Sequence, residues 1–361
     1  MPDYSDNARA LSEYMVKNGY TKKYKIYFDV NNLECYKDRI EGISFISSKS
    51  KMGCHNLSCL RLLLTAKYLM STHELIINKD IARKEQCIIR LWHGCGYKTR
   101  QKPNGAIKKI FDAALVPGPL FVKIKAEFWN VDEKYILPIG YPRYDWLKSK
   151  DTDALKLIES FKKDEKTKVV MWMPTFRKDK NGQSKYNYIK ITQFPILYCI
   201  DDWKVLDSYC ARYNIVILVK LHPIQEEYSI PFDSFSNIKE IKNDLFEKMN
   251  IPMYSFVGMT DALISDYSSI AIDYLIVDKP IAYTLDYYEE DKKTRKFIFD
   301  DIREYMPGYH LYNLEDMKSF LYDLSIGVDS FMTQREQLCK IAICPSNNYC
   351  EGVLKQFGIV I

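Results

Sequence analysis

Five short polar clusters in this chain each follow a strand-like apolar run, and each carries side chains able to handle a proton or an anion. Ligand-binding loops of open α/β sheets gather at such strand ends. The first cluster is LWHGCGYK, where His93 and Gly94 close the run Cys87–Trp92. A histidine on a sharp turn can accept a proton near neutral pH; it can equally be a turn residue bonded to backbone. The second, GYPRYD from Gly140 to Asp145, offers Arg143 as an anion clamp or as the partner of Asp145 in a hinge. The hinge is the favoured reading. In the third, WMPTFRK, the Thr175 hydroxyl and the Arg177 fork suit a phosphate, and equally a solvated surface. The fourth is ILVKLHP, where Lys220 and His222 flank one apolar residue and so point to the same face of a strand end. Two such groups on one face fit a diphosphate better than a core.

The fifth cluster lies in DALISDYSSIAIDYLIVDKP, residues 261–280. DALIS reads as a strand, Asp266 and Tyr267 as a turn, and Ser268 and Ser269 as N-caps of the helix that follows. The first amides of that helix lack internal partners, and its dipole favours an anion. Capping explains one serine. It leaves a second serine and Asp266 crowding the strand's exit.

Other chemistries are set aside. No GxxxxGK[ST], GxGxxG or GxSxG pattern occurs. Asp151 and Asp153 imitate an acidic metal pair but open a charged helix. The ten cysteines form no CxxC pair and no Cys/His cluster, so no metal is expected, and reduced thiols fit a cytoplasmic chain. A net charge of +5 hints at anionic partners without naming one. The densest basic stretch, Lys98–Lys109, reads first as a solvated loop and second as a phosphate- or lipid-facing patch. No apolar run approaches the ~18–20 residues that span a bilayer, and the opening MPDYSDNARA is no signal peptide.

The elements that must position these clusters alternate. Strands are expected at Tyr24–Val30, Ile43–Ser47, Glu74–Asn78 and Cys87–His93, then in KVVMWMP, NIVILVKLHP, DALISD and KPIAYTL. Helices are expected in NARALSEYMVKNG and throughout HNLSCLRLLLTAKYLMS. Such alternation argues for parallel sheets covered by helices, in two Rossmann-like doubly wound domains facing a cleft. The boundary is set near Asp145–Lys150, where prolines give way to a charged helical segment. The expected division is an acceptor-side domain at 1–145, a nucleotide-donor domain at 146–335 and a helical tail at 336–361 packing back towards the first. The chain begins at a helix where a strand should stand, so an N-terminal strand is expected to be missing.

In order, WHG, GYPRYD, MPTFR, KLHP and LISDYSSIAIDYLIVDKPI resemble the CDP-glycerol glycerophosphotransferases of teichoic-acid and capsule synthesis. DNARALSEYM fits that family's first helix, and the resemblance runs over residues 5–335. It implies a GT-B-like fold and transfer of a polyol phosphate from CDP-glycerol or CDP-ribitol to a hydroxyl of a lipid-linked glycan or teichoic-acid-type acceptor, with CMP released. No metal and no cofactor is implied, nor any nucleic acid; the acceptor places the enzyme at the anionic cytoplasmic face of the plasma membrane. His93 would be the general base, with His222 beside it in the catalytic set. Arg177, Lys220, Ser268 and Ser269 would hold the donor diphosphate. Gly94, Arg143, Asp145, Thr175, Asp266 and Arg335, the last matching a late arginine of the family, complete the candidate set.

Two departures stand out. Cys95-Gly96 follows the histidine-glycine turn where the family usually has a Thr-Pro-type pair, and Cys344–Gly352 does not match its terminal motif. The choice between glycerol and ribitol therefore stays open. So do two rival readings: a GT-B transferase using a nucleotide sugar, as sialyl- and polysialyltransferases do, and a non-catalytic nucleotide-binding scaffold.

Overall fold

The computed structural model describes residues 4–48, 56–73, 79–99, 105–106, 109–174, 194–221, 230–294 and 296–361. Its chain forms two compact units: Met1–Gly94, Gln101–Trp146 and Ile341–Ile361 in the first, Cys95–Arg100 and Leu147–Lys340 in the second.

In unit 1, β1 (Ile26–Asp29) pairs in parallel with β2 (Ile43–Ile46). A second sheet is parallel throughout. It holds β3 (Tyr68–Ser71) and β4 (Cys87–Arg90). The chain then leaves to form the short strand β5 (Lys98–Thr99) in unit 2, and returns with β6 (Ala113–Leu115) and β7 (Ile136–Leu137). The order in the sheet is β3-β4-β6-β7. The helix Asp6–Lys17 buries Ala10, Leu11 and Met15 on one face, at the spacing an amphipathic helix requires.

Unit 2 contains β8 (Lys168–Trp172), β9 (Ile215–Val219), β10 (Ile238–Glu240), β11 (Ala262–Ser265), β12 (Ile281–Thr284), β13 (Lys296–Phe297) and β14 (Tyr309–Leu311). Six of these form one parallel sheet in the order β10-β9-β8-β11-β12-β14, while β13 pairs antiparallel with β5. Every residue of β9, β11 and β12 is buried, which is why these strands (IVILV, ALIS and IAYT) read as largely apolar runs rather than alternating ones. Trp172 and Trp203 stack at 5.9 Å, with Phe194 edge-on to Trp172 at 4.7 Å, and anchor the core on one side of the sheet. Two Rossmann-like α/β units are thus present.

One expectation is corrected. The run read as a single helix through Ser71 is a helix only over Leu57–Thr65, and Tyr68–Ser71 is strand β3. An apolar run of that length fits either period, and the edge of a parallel sheet decided it. The strand expected at Glu74–Asn78 lies outside the described residues.

Asp145 belongs to the frame of unit 1. Its two carboxylate oxygens accept the Tyr349 and Cys350 amides, each at 2.8 Å, at the start of the helix Tyr349–Gln356. These are charge-assisted bonds to otherwise orphaned donors. Asp145→Ala is expected to cost about 1–2 kcal/mol, read as a fall of several degrees in melting temperature; an unchanged melting curve would contradict this role.

Candidate functional site

Unit 1 holds the candidate proton acceptor, His93. After β4 the backbone turns through Trp92 at φ +58° and Gly94 at φ +126°. Positive φ is routine for glycine, but for a tryptophan it is an outlier costing about 1–3 kcal/mol. Buried Asn7 holds it in place. Its amide donates to the Trp92 carbonyl at 2.7 Å and the Leu91 carbonyl at 3.3 Å, while its oxygen accepts the Arg143 amide at 3.1 Å.

His93, half-buried, stands on this turn. Its Nδ1 lies 3.1 Å from the Thr72 carbonyl. A carbonyl only accepts, so the neutral ring carries its proton on Nδ1 and keeps a lone pair on Nε2. Burial pushes the imidazole below the ordinary histidine value. The Thr72 bond acts against that shift, and the His73 ring, stacked at 5.0 Å, acts with it. The result is a histidine neutral at physiological pH with Nε2 free to take a proton, which is what a general base requires.

Where the favoured hinge reading pairs Arg143 with Asp145, the structure gives each a different partner. Arg143 is fully buried and pairs with Asp6, Nη1 to Oδ1 at 2.6 Å. A guanidinium taken wholly out of water needs such a partner. The pair supports the His93 turn through Asn7; Asp145 caps the last helix as described above.

Unit 2 holds the groups expected from the sequence to seat an anion. The chain runs from β8 through β9 to β10 on one side, then places β11 on the other side of β8. The gap between β8 and β11 is therefore the topological switch point, where doubly wound sheets bind ligands at their carboxyl ends. Asp266, Tyr267, Ser268 and Ser269 leave β11 there. The Ser265 hydroxyl donates to the Met173 carbonyl at 3.0 Å, which ties the exits of β8 and β11. Lys220 follows β9, its amide bonded to the Trp172 carbonyl at 2.9 Å. Burial lowers its ammonium pKa to about 8.

Ser268 occupies the N-cap position of the helix Ser269–Tyr274, yet its side chain makes no capping bond. Both serine hydroxyls are partly exposed and lack a hydrogen-bond partner among the described residues. The capping reading is corrected. Asp266 is almost fully buried, so its carboxylate does not face outward with the serines. Arg335 is likewise internal, paired with Asp329 at 2.8 Å and Asp278 at 3.4 Å. Thr175, Arg177 and His222 lie outside the described residues.

Three residues after His93, Gly96 packs against the DYSS loop. A Cβ there would stand 2.8 Å from the Tyr267 carbonyl oxygen and 2.9 Å from the Ser269 nitrogen. Tyr97 donates its amide to that Tyr267 carbonyl at 3.3 Å and its hydroxyl to the Tyr305 carbonyl at 2.6 Å. The Cys95-Gly96 departure in the sequence is thus a point of close backbone approach. Asn7, His73 and Gly96 went unassigned by sequence; Asn7 lay within the matched first helix, and Gly96 within the departure itself.

Comparison with known proteins follows the same lines. The profile described as CDP-Glycerol:Poly(glycerophosphate) glycerophosphotransferase matches residues 1–340. The teichoic acid ribitol-phosphate polymerase TarL of Staphylococcus aureus is 26% identical over 85% of this chain and 52% of its own length. The teichoic acid ribitol-phosphate primase of Bacillus spizizenii is 26% identical over 70% of this chain and 64% of its own. The chain thus spans about half to two thirds of the length of these curated relatives. A structure of the wall teichoic acid polymerase TagF superposes with a TM-score of 0.76 at 18% identity, covering 98% of this chain and 85% of that one. That likeness establishes the fold as GT-B-like.

The His93 geometry is checked by NMR titration of the imidazoles. His93 is expected to titrate below 6.5 and, when neutral, to carry its proton on Nδ1. His73→Ala removes an electrostatic influence that lowers the His93 value and moves the midpoint upward. A wild-type midpoint above 6.5, or the Nε2–H tautomer, would contradict the assignment.

Proposed function

The chain belongs to the CDP-glycerol:poly(glycerophosphate) glycerophosphotransferase family, and from that membership we propose that it transfers a polyol phosphate from a CDP-alcohol to an acceptor hydroxyl. The acceptor class is a membrane-linked glycan or teichoic-acid-type chain, and CMP is the other product. The observation that carries this reading is the state of His93: neutral, oriented by the Thr72 carbonyl, with Nε2 as a free acceptor.

His93 Nε2 takes the hydroxyl proton as the acceptor oxygen bonds to the polyol-bearing phosphorus. The bond from that phosphorus to the bridging oxygen breaks, and CMP leaves with the electron pair. Phosphoryl transfer of this kind needs positioning and charge stabilisation more than covalent help from the protein. Ser268 and Ser269 offer two hydroxyl donors at the switch point. Lys220, shielded from water but still protonated at neutral pH, gains from pairing with a phosphate oxygen. Arg177 and His222 follow β8 and β9 in sequence and are assigned to the same diphosphate. No step calls for a metal ion.

The acceptor class favours reaction at the cytoplasmic face of the plasma membrane, and the basic stretch Lys98–Lys109, most of which lies outside the described residues, is assigned to anionic lipid. Within that stretch Asn130 fastens the Gly105 and Ala106 carbonyls to the end of the helix Val122–Trp129. Among the described residues no helix is long and apolar enough to cross a membrane.

The test is a donor screen with wild-type protein and His93→Ala. CMP release from CDP-glycerol or CDP-ribitol is expected, with His93→Ala slowing it by about 10²–10⁴-fold. Turnover of CMP-sialic acid alone, or transfer unaffected by His93→Ala, would overturn the proposal, as would tight CDP binding with no turnover of any donor.

A further inference from the structure

The helix Val122–Trp129 buries Lys125, which is only 6% exposed. Its ammonium lies 4.4 Å from the centroid of the Phe128 ring, 5.3 Å from that of Trp92 and 5.8 Å from that of Trp129. Among the described residues it has no carboxylate and no hydrogen-bond acceptor. A second cation, Arg90, stacks on Trp129 at 5.7 Å, so one indole is shared by two buried positive groups. The indole nitrogens of Trp92 and Trp129 are both buried without an acceptor. Trp92 and Trp129 themselves meet edge-to-face at 4.9 Å.

Each feature alone has an ordinary explanation. An aromatic face stabilises a cation by about 0.5–2 kcal/mol, and one unpaired indole N–H costs about 1–3 kcal/mol. Together they are three donors, the Lys125 ammonium and the two indole N–H groups, for which the described residues supply no acceptor. A lysine so little exposed ordinarily has a counter-charge, and among the described residues Lys125 has none. The cluster reaches solvent at Phe128 and His93, which are partly exposed. It also touches the base directly, since the Trp92 and His93 rings lie 4.0 Å apart.

We propose that Lys125, with Trp92 and Trp129, forms a subsite for a phosphodiester monoanion one indole away from the general base. This deepens the functional reading above and rests on it for the identity of the anion. A hydroxyl presented to His93 by a polyol-phosphate chain carries its nearest phosphodiester about one polyol away, and the Trp92 ring spans a gap of that kind. The subsite distinguishes an acceptor that already bears a polyol phosphate from one that ends in a bare sugar. Lys125 acts here by binding; it takes no part in proton transfer.

The test uses glycerophosphoglycerol as a soluble phosphodiester, titrated calorimetrically into wild-type protein, Lys125→Arg and Lys125→Met. Saturable binding is expected in the first two and at least tenfold weaker binding in Lys125→Met, with CDP affinity unchanged. Lys125→Met keeps an apolar chain against the same three rings, so it is expected to fold and to lose no more than the about 0.5–2 kcal/mol of the cation–π contacts. Equal binding by wild type and Lys125→Met, or no saturable binding by wild type, would overturn the subsite. Lys125-dependent binding to phosphatidylglycerol vesicles that glycerophosphoglycerol fails to displace would overturn its assignment to the acceptor, giving it to a lipid headgroup. CMP release is scored on the same preparations. Turnover with Lys125-indifferent binding removes only the subsite, whereas Lys125-dependent binding without turnover removes the functional reading and leaves the anion site standing.

Discussion

The geometry of unit 1 depends on one buried amide. Asn7 satisfies the carbonyls on both sides of a left-handed tryptophan and accepts the amide of Arg143, so three segments distant in sequence meet on a single side chain. Without those bonds the Trp92 turn has no compensation for its strain, and the peptide would relax into the extended region that bulky residues prefer. His93 sits on the turn itself. Its ring direction, its bond to Thr72 and its stacking on His73 all follow from where Trp92 is held. Arg143 and Asp6 reinforce the arrangement from inside the unit, which explains why an arginine and an aspartate are tolerated there.

Unit 2 solves a different problem by topology alone. Reversing the direction of strand addition at β8 leaves β8 and β11 as neighbours at the topological switch point, the place where doubly wound sheets hold ligands. The DYSS loop fills one side of it, with two hydroxyls that the helix does not use for capping. Gly96 lets another stretch of backbone lie against that loop where a side chain would collide with it. A large residue at position 96 would push the loop away, so the departure from the Thr-Pro pattern is also a structural requirement of this chain.

Much of the fold was legible because buried parallel strands write themselves as largely apolar runs; β8, β9, β11 and β12 are of this kind. Strands of two to four residues such as β3 and β7 were harder, since so short a run carries no period of its own. Of the candidate site, His93, Lys220, Ser268 and Ser269 were picked out by residue type after an apolar run, and the structure places them after β4, β9 and β11. Arg143 and Arg335 had the right chemistry and the wrong burial, which sequence does not report. Asn7 and Lys125 were hidden for the opposite reason. Each lies on an amphipathic helix, where a polar residue on the inner face looks like an imperfection of the pattern rather than its purpose.

The central claim is that the donor's diphosphate is seated within unit 2, at the β8–β11 switch point. A crystal structure of the His93→Ala variant soaked with CDP-glycerol tests this most directly. The account predicts the diphosphate on the Ser268 and Ser269 hydroxyls with the Lys220 ammonium beside it. A nucleotide bound elsewhere, with those three groups unengaged, would contradict it.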